Sequence, residues 1–408
     1  GLPQRNRIVL MDQQYTPTYH RMWNRDFSLL IAAELLLCIA CYMTIPFLPY
    51  RLFKNNYVDA SLASLTMVLF VTGIFVSGFF GSWLIQRYRR NKVFGISALC
   101  LAATILALSV FDNPQNKYAV ENHIMALLGV CTFGGMVFGQ SKRVLSCTLL
   151  IDKTESCHRT EANYAAIWIA RLTIVAGPII AIQLRNEVQN TMFYGIGAAM
   201  AIVAAALVMM VNFPFRAPEE GTKLISTDRF LLPQGWNVSI VIACMSAALG
   251  LTMVTHTSTE FFTSLAVGFA IAILTLRFPA VRMGRFTSMV GNVCILTAVL
   301  AMTLHNGMLD DTLKPMVLGL GFGLTASEQL YKLLDRSNHC QRSTAESTYF
   351  MASDGGLFLG IAAGCLVGTY AAEQAATGEH GAILLFAIAS IMCSINSLMK
   401  KKHTEFHA

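Results

Sequence analysis

The chain has 408 residues, of which 55% are hydrophobic and only 13% are charged, with a net charge of +7 and a mean hydropathy of +0.54. Soluble domains carry about 25% charged residues, so this chain has too little charge to cover a water-facing surface. The composition excludes an ordinary soluble domain and indicates a protein that lies mostly in lipid. Each spanning helix needs about 20 apolar residues, so the chain can hold many spans.

Taken in chain order, a polar N-terminal segment without a recognisable signal peptide precedes a series of long apolar runs. These runs predict twelve spanning helices, and the fourth is the least clear because Lys142 and Arg143 interrupt it. The predicted spans lie near residues 27–48, 62–85, 93–110, 125–150, 162–184, 192–212, 237–255, 259–276, 287–304, 315–334, 344–369 and 380–399. The eleven cysteines lie mostly inside these runs and indicate no disulfide framework.

The basic residues are divided unequally between the two sides that this span pattern defines. One side holds 24 Lys and Arg residues, the other holds five, and Arg171 lies within a span. Cytoplasmic loops of membrane proteins collect Lys and Arg, so we expect both termini in the cytoplasm. The charge therefore follows membrane topology, and we expect the lipid bilayer as a partner and no nucleic acid.

A proline- and glycine-containing loop at 213–236 divides the predicted spans into six and six. The motif Cys-x-Arg-(Ser/Thr)-x-Ala occurs at 157–162 and again at 340–345, which is 183 residues later and in the equivalent loop of each half. This spacing favours a parallel internal repeat. The predicted organisation is a cytoplasmic segment 1–26, a six-helix bundle 27–212, a cytoplasmic loop 213–236, a six-helix bundle 237–399 and a cytoplasmic tail 400–408.

The segment 81–92, after the second span, resembles the signature Gly-x-x-x-Asp-Arg-x-Gly-Arg-Arg/Lys of the major facilitator superfamily. Arg87 and Arg90 match it, whereas Gln86 and Arg89 replace the usual Asp and Gly. Gly177-Pro178 resembles the core of a motif found in antiporters. The stretches 159–163 and 339–343 resemble those of a poorly characterised, exporter-like bacterial subgroup.

This resemblance implies an all-α polytopic membrane protein with twelve helices in two pseudo-symmetric halves. It further implies a monomeric secondary transporter in the bacterial inner membrane, which moves a small-molecule substrate by alternating access. The loop that carries Arg87 and Arg90 would act as a conformational switch.

A charge at mid-bilayer costs about 2.5–3.5 kcal/mol, so each charge inside a span needs an explanation. Glu34 and Arg171 lie roughly 10 Å and 13 Å into their spans from the same side, at 1.5 Å per residue. We expect them to face each other, either as a structural ion pair or in proton coupling and substrate binding.

Two helix faces carry groups suited to an organic anion. Tyr164, Trp168 and Arg171 share one face of the fifth span, although interfacial anchoring and helix packing would also explain the two aromatic residues.

Gln140, Arg143 and Cys147 share a face of the fourth span. Arg143 either points into a cavity or extends to the cytoplasm, and we expect Lys142 to extend to the cytoplasm.

Acidic residues predominate in the second half. Glu328 could be neutralised by Lys332 at i+4 or could carry a proton. Asp354 lies mid-span with no basic residue within four positions, so desolvation disfavours its carboxylate and suits it to reversible protonation. Glu346 is expected to be solvated near the cytoplasmic end. Glu34, Glu328 and Asp354 are therefore the candidates for proton coupling.

The pattern predicts a proton-coupled transporter of a small organic solute that is anionic or zwitterionic, and it implies no cofactor and no metal. Export by antiport is favoured over uptake by symport on Gly177-Pro178 alone. A membrane-embedded enzyme or a channel is the alternative of a different class. The sequence contains no phosphate loop and no His-Glu-x-x-His motif, so neither an ATP-driven pump nor a zinc hydrolase is expected.

Topology provides the first test. Single cysteines introduced at Asn116 and at Gly221, in a variant without native cysteines, should react with a membrane-impermeant maleimide from opposite sides of the membrane. The reason is the 24-to-5 division of basic residues. Labelling of both positions from one side would contradict the twelve-span arrangement.

Overall fold

The computed structural model describes residues 22–55, 58–114, 118–214, 217–277, 285–304 and 310–366. Eleven long helices occur in these ranges. They are α1 Arg25–Thr44, α2 Ala60–Arg87, α3 Arg90–Phe111, α4 Ile124–Val144, α5 Arg159–Glu187, α6 Asn190–Met209, α7 Trp236–Thr255, α8 Thr259–Leu276, α9 Arg285–Leu304, α10 Leu313–Asp335 and α11 Arg342–Leu366.

Nine of these helices are long and apolar enough to cross a membrane, and α9 contributes a shorter apolar stretch, Met289–Met302. The tenth, α10, has sufficient length but carries Glu328, Gln329 and Lys332 in its second half. The prediction of an all-α polytopic membrane protein is confirmed. The predicted twelfth span at 380–399 and both terminal segments lie outside the described residues, so twelve helices in two equivalent halves stays a prediction.

The fourth helix is longer than the charge pattern suggested. After α4 the chain continues as a π-helical turn, Leu145–Leu149, and one further α-helical turn, Leu150–Asp152. Lys142 and Arg143 therefore lie within the helix, and their side chains are 2% and 7% exposed. They are not loop residues, so two of the 24 basic residues that the charge count placed on the predicted cytoplasmic side lie inside the bundle instead.

Ion pairs at each end show that successive helices alternate in direction. At one end, Lys153 pairs with Asp26 (2.9 Å) and Arg90 with Asp152 (2.7 Å). We call this the basic end, because the basic connections 87–90, 152–159 and 335–342 lie there.

At the opposite end, a buried carboxylate joins the ends of α3, α5 and α6 to Arg51, which follows α1 in the chain. Asp112 follows α3 and accepts hydrogen bonds from Arg51 Nε at 2.7 Å and from Tyr194 OH at 2.7 Å, while Arg185 lies at 3.4 Å. Asn190 donates to the Asp112 backbone carbonyl. Two of the five basic residues predicted for this side are thus paired with one acid.

The helices before the 213–236 loop pack mainly on one another, with α1 on α5 and α6, α2 on α4, and α3 on α4 and α6. Those after it pack likewise, with α7 on α11 and α10 on both α8 and α9. The two sets meet where α2 contacts α11 and α5 contacts α8.

The connection between the two sets, 217–235, runs across the basic end and is attached to both. Its Ser226 amide donates to the Phe79 carbonyl of α2, and its Leu232 amide donates to Thr348 Oγ1 of α11. Phe230 between them is 1% exposed and lies so close to Gly78 that a Cβ there would overlap its ring. The connection therefore closes the basic end between α2 and α11.

The two copies of the repeated motif adopt the same local structure. Each forms one 3₁₀ turn, Ser156–His158 or His339–Gln341, and a long helix then begins at the motif arginine, Arg159 or Arg342. The alanines of both motifs are fully buried. The 183-residue offset thus relates positions in α5 to positions in α11.

Glycine allows α2 and α4 to approach within backbone contact. A Cβ on Gly135 would lie 1.9 Å from the carbonyl oxygen of Phe70, whereas a Cβ on Gly129 of the same helix would meet nothing within 4 Å. Backbone atoms cannot move aside as a flexible side chain can, so only glycine fits at Gly135.

Gly135→Ala should destabilise the protein by about 1–3 kcal/mol, since it overpacks a helix crossing, and should lower the melting temperature of the purified protein in detergent. Gly129→Ala is the matched control and should leave that temperature unchanged or raise it slightly, because alanine favours the helix. Equal melting temperatures for the two variants would contradict the close crossing.

Candidate functional site

Among the described residues, six charged side chains are buried between the two ends of the bundle. They are Glu34, Lys142, Arg143, Arg171, Glu346 and Asp354, and each is at most 7% exposed. Buried charges are expensive unless they are paired and hydrogen-bonded. The partners of these six residues therefore define the candidate site.

Lys142 and Asp354 form an ion pair at the centre of the cluster. Lys142 Nζ in α4 donates to Asp354 Oδ2 in α11 at 2.7 Å. Tyr42 OH in α1 donates to the other carboxylate oxygen at 2.5 Å and accepts from Lys142 Nζ at 3.0 Å. Three helices, two before the 217–235 connection and one after it, are thus joined by a single triad.

Aromatic rings surround the ammonium group of this triad. Lys142 Nζ lies 4.6 Å from the centre of the Phe350 ring, and 5.5 Å from those of Phe138 and Tyr42. The negative faces of such rings attract a cation. The rings also exclude water, which strengthens the attraction between Lys142 and Asp354.

Arg171 forms a second connection between the two helix sets. From α5 it donates to Tyr349 OH (2.7 Å) in α11, and to the Phe322 carbonyl (2.6 Å) and Gln329 Oε1 (3.1 Å) in α10. All three acceptors are neutral. The guanidinium thus has its hydrogen bonds satisfied by neutral groups, and a bound anion could exchange with them.

Arg143 lies closer to the basic end, beneath the 217–235 connection. It donates to Ser77 Oγ (2.7 Å), to Gln140 Oε1 (3.2 Å) and to the Gly139 carbonyl (3.0 Å). Its guanidinium lies 5.2 Å from the Phe230 ring centre. Among the described residues Arg143 has no carboxylate partner, and it is buried rather than extended to the cytoplasm.

Two glutamates are fully buried with unpaired oxygens. Glu34 in α1 accepts from Ser146 Oγ at 2.7 Å through Oε1, while its Oε2 has no hydrogen-bond partner in the described part of the chain. Glu346 in α11 has no such partner for either oxygen.

Four expectations from the sequence are wrong in their geometry. Glu34 and Arg171 do not pair, because each is hydrogen-bonded to other residues of neighbouring helices. Lys142 does not extend to the cytoplasm, because Asp354 holds it in the interior. Glu346 is not solvated, because α11, which begins at Arg342, is buried from Thr344 onward. Asp354 does have a cation beside it, which comes from another helix.

Other sequence-predicted residues have structural partners. Glu328 pairs with Lys332 at 2.7 Å, as the i+4 spacing predicted, and both are about one-third exposed. Trp168 packs on Ala272 and Leu324, which fits the helix-packing interpretation. Tyr164 is partly buried against the main core.

The two arginines of the proposed switch segment differ. Arg87 is exposed and lies over the Trp83 ring at 5.8 Å, whereas Arg90 pairs with Asp152. The structure brings Arg143 and Gln140 together but holds Arg171 in a separate cluster. The roles of all these residues stay predictions.

Sequence reasoning missed Tyr42, Tyr349 and Gln329. The 183-residue offset was a signal for the charged residues that these three contact, because it relates Arg171 to Asp354. The two repeats thus place a cation and an anion at equivalent positions of α5 and α11. Each of these residues contacts helices from the other side of the 217–235 connection.

The ion pair can be tested by removing the cation alone. Lys142→Met should destabilise the protein by about 3–5 kcal/mol, since Asp354 would be left buried without its partner. The double variant Lys142→Met/Asp354→Asn should recover part of the lost melting temperature. Lys332→Met is the control, because its pair is partly exposed and contributes about 0–1 kcal/mol. Additive effects of the two single substitutions would contradict the pair.

No protein-family model matches the sequence, and neither does any curated protein sequence. Solved structures do match. A bacterial homologue of the iron transporter ferroportin, in an outward-facing state, is 15% identical with a TM-score of 0.64, over 90% of this chain and 98% of that chain. An auto-inhibited peptide transporter of the POT family is 12% identical with a TM-score of 0.65, over 93% of this chain and 97% of that chain.

The Major Facilitator Superfamily transporter FucP, in its outward conformation, is 13% identical with a TM-score of 0.59, over 92% of this chain and 99% of that chain. At these identities the likeness concerns the fold. The chain therefore has the fold of the major facilitator superfamily of transporters.

Proposed function

We propose that the protein is a secondary transporter that moves a small organic anion or zwitterion across the membrane by alternating access. The observation that carries this proposal is the buried Lys142–Asp354 pair, which joins α4 to α11. A buried ion pair gives little net stability. A helix bundle built only for stability would therefore have apolar residues at this position. The pair is explained if the two helix sets separate during a transport cycle and the pair forms again when they return.

The substrate class follows from the arrangement of charge. The helices before the 217–235 connection supply the cations Lys142, Arg143 and Arg171, and α11 supplies the acids Glu346 and Asp354. A zwitterion placed between the two sets could meet a cation on one side and a carboxylate on the other. An anion could replace the neutral acceptors of Arg171.

The proposed substrate-binding residues are those predicted from the sequence: Gln140, Arg143, Tyr164, Trp168 and Arg171. In the closed arrangement Arg143 and Gln140 hold each other, and Trp168 packs on α8 and α10. Exposure of Trp168 to a substrate would require α5 to separate from α8 and α10.

Proton coupling and direction are parts of the same proposal. Glu34, Glu328 and Asp354 are the proposed proton-carrying groups, and the loop with Arg87 and Arg90 the proposed switch. Export by antiport stays slightly favoured over uptake by symport. Gly177 lies against the backbone of Tyr42 and Met43, so close packing alone accounts for this glycine and the direction depends on the sequence resemblance.

The protein is further proposed to be a monomer in the bacterial inner membrane with both termini cytoplasmic. A membrane-embedded enzyme is the alternative of a different class. A counterflow assay in proteoliposomes with a panel of labelled organic anions and amino acids separates the two. A transporter accumulates the label unchanged, whereas an enzyme returns a chemically altered product.

Asp354→Asn tests the role of the central pair in coupling. The substitution keeps the shape of the side chain and removes its charge and its titration. We expect accumulation driven by a proton gradient to fall at least tenfold, while counterflow without a gradient persists. Asp311→Asn is the control, since Asp311 is 97% exposed beside Lys314. Uphill transport by Asp354→Asn at the wild-type pH dependence would exclude Asp354 from coupling.

A further inference from the structure

Two buried glutamates, Glu34 in α1 and Glu346 in α11, come together at one turn of the fourth helix. Both α1 and α11 pack on the π-helical turn Leu145–Leu149. Ser146 in that turn donates to Glu34, and the Cys147 carbonyl accepts from Ser343 Oγ at 2.6 Å. Ser343 and Glu346 share a face of α11 at i, i+3 spacing, so Glu346 lies on the side of α11 that faces this turn.

π-helical turns inside α-helices are rare and are frequent at functional sites. Here the Ser146 hydroxyl contacts α1, which precedes the 217–235 connection in the chain, and the Cys147 carbonyl contacts α11, which follows it. The two glutamates are both 0% exposed and interact electrostatically with each other.

These carboxyl groups lack the partners that two buried carboxylates require. Three of their four oxygens, Glu34 Oε2 and both oxygens of Glu346, have no hydrogen-bond partner among the described residues. A buried carboxylate without donors keeps its full desolvation cost. Two ionised carboxylates would also repel each other, so at least one of the two must be neutralised, by a cation or by a proton.

The neighbouring charged and titratable groups do not provide that neutralisation. Glu34 interacts with Lys142 of α4 and with Cys38 of its own helix, and Glu346 interacts with Cys147. Lys142 is already in contact with Asp354. One ammonium group thus lies among three carboxyl groups.

The internal repeat places a neutral side chain at the position equivalent to Glu346. The 183-residue offset that relates Arg159 to Arg342 also relates Asn163 to Glu346. Asn163 is 2% exposed, and its Oδ1 is likewise without a hydrogen-bond partner in the described part. The equivalent position in α5 is therefore occupied by a neutral side chain in the same type of environment.

We propose that Glu34 and Glu346 share one proton between α1 and α11, as a carboxylic acid paired with a carboxylate, while Asp354 is ionised beside Lys142 in this arrangement. The role of this shared proton in a transport cycle rests on the proposed transport function. The inference adds Glu346 to the proposed proton-carrying residues. When α1 and α11 separate, water reaches the pair and the shared proton leaves to water. When they return, one proton is taken up again, and the O–H of one carboxyl donates to an oxygen of the other.

Infrared difference spectroscopy detects such a proton without any transport substrate. The full-length protein, reconstituted in lipid, should show a carboxylic-acid C=O stretching band near neutral pH that shifts in heavy water and is lost at alkaline pH. Both Glu346→Gln and Glu34→Gln should remove or shift this band. Glu260→Gln is the matched control and should leave it unchanged, because Glu260 is an exposed residue at the start of α8.

A band altered by both core substitutions supports the shared proton. The absence of an acid band in the wild-type protein, or a band altered by only one of the two substitutions or by neither, overturns it. If Glu346→Gln does not yield folded protein, Glu346→Asn, which introduces the residue type of the equivalent α5 position, is measured under the same criteria.

The outcome is separable from that of the transport proposal. If no solute is transported but the band behaves as expected, the proton site stands and the transport proposal fails. If solutes are transported and the band is insensitive to both substitutions, the transport proposal stands and the proton site fails.

Discussion

The ion pair between Lys142 and Asp354 is the interaction on which the closed form of this bundle depends. It connects α4 to α11 in a region from which water is excluded, and Tyr42 completes it from α1. Since the pair is buried among aromatic rings, neither residue can lose the other without being rehydrated or neutralised. Separation of the two helix sets therefore requires water, a proton or a charged solute to enter the core.

The other contacts between the helix sets are arranged around this pair. Arg171 binds α10 and α11 from α5, and Phe230 lies between α2 and α11 at the basic end. At the opposite end the rings of Phe47 and Phe262 meet edge to face. The buried charges are thus covered from both ends, so the described arrangement is a closed one.

The sequence was sufficient for the helices and insufficient for their contacts. Apolar runs predict membrane helices well, because each helix satisfies its own backbone hydrogen bonds. The sequence does not predict the partner of Asp354, because Lys142 is 212 positions away and charges interrupt the apolar run of its helix. The Glu328–Lys332 pair was predictable for the opposite reason, since the spacing along one helix determines it. Glu346 lies close to the start of its helix, which predicts exposure to solvent, but α11 packs there on the turn Leu145–Leu149 and Glu346 is buried.

The uneven placement of buried charge has a consequence for the synthesis of the chain. In the bundle interior, the helices before the 217–235 connection contain three buried cations and one buried acid, and the other two buried acids, Glu346 and Asp354, belong to α11. During translation the first helices are therefore inserted with excess positive charge in their interior. That excess persists until α11 has been made, so the order of the helices makes compensation of these cations a late event in the assembly of the bundle in the membrane.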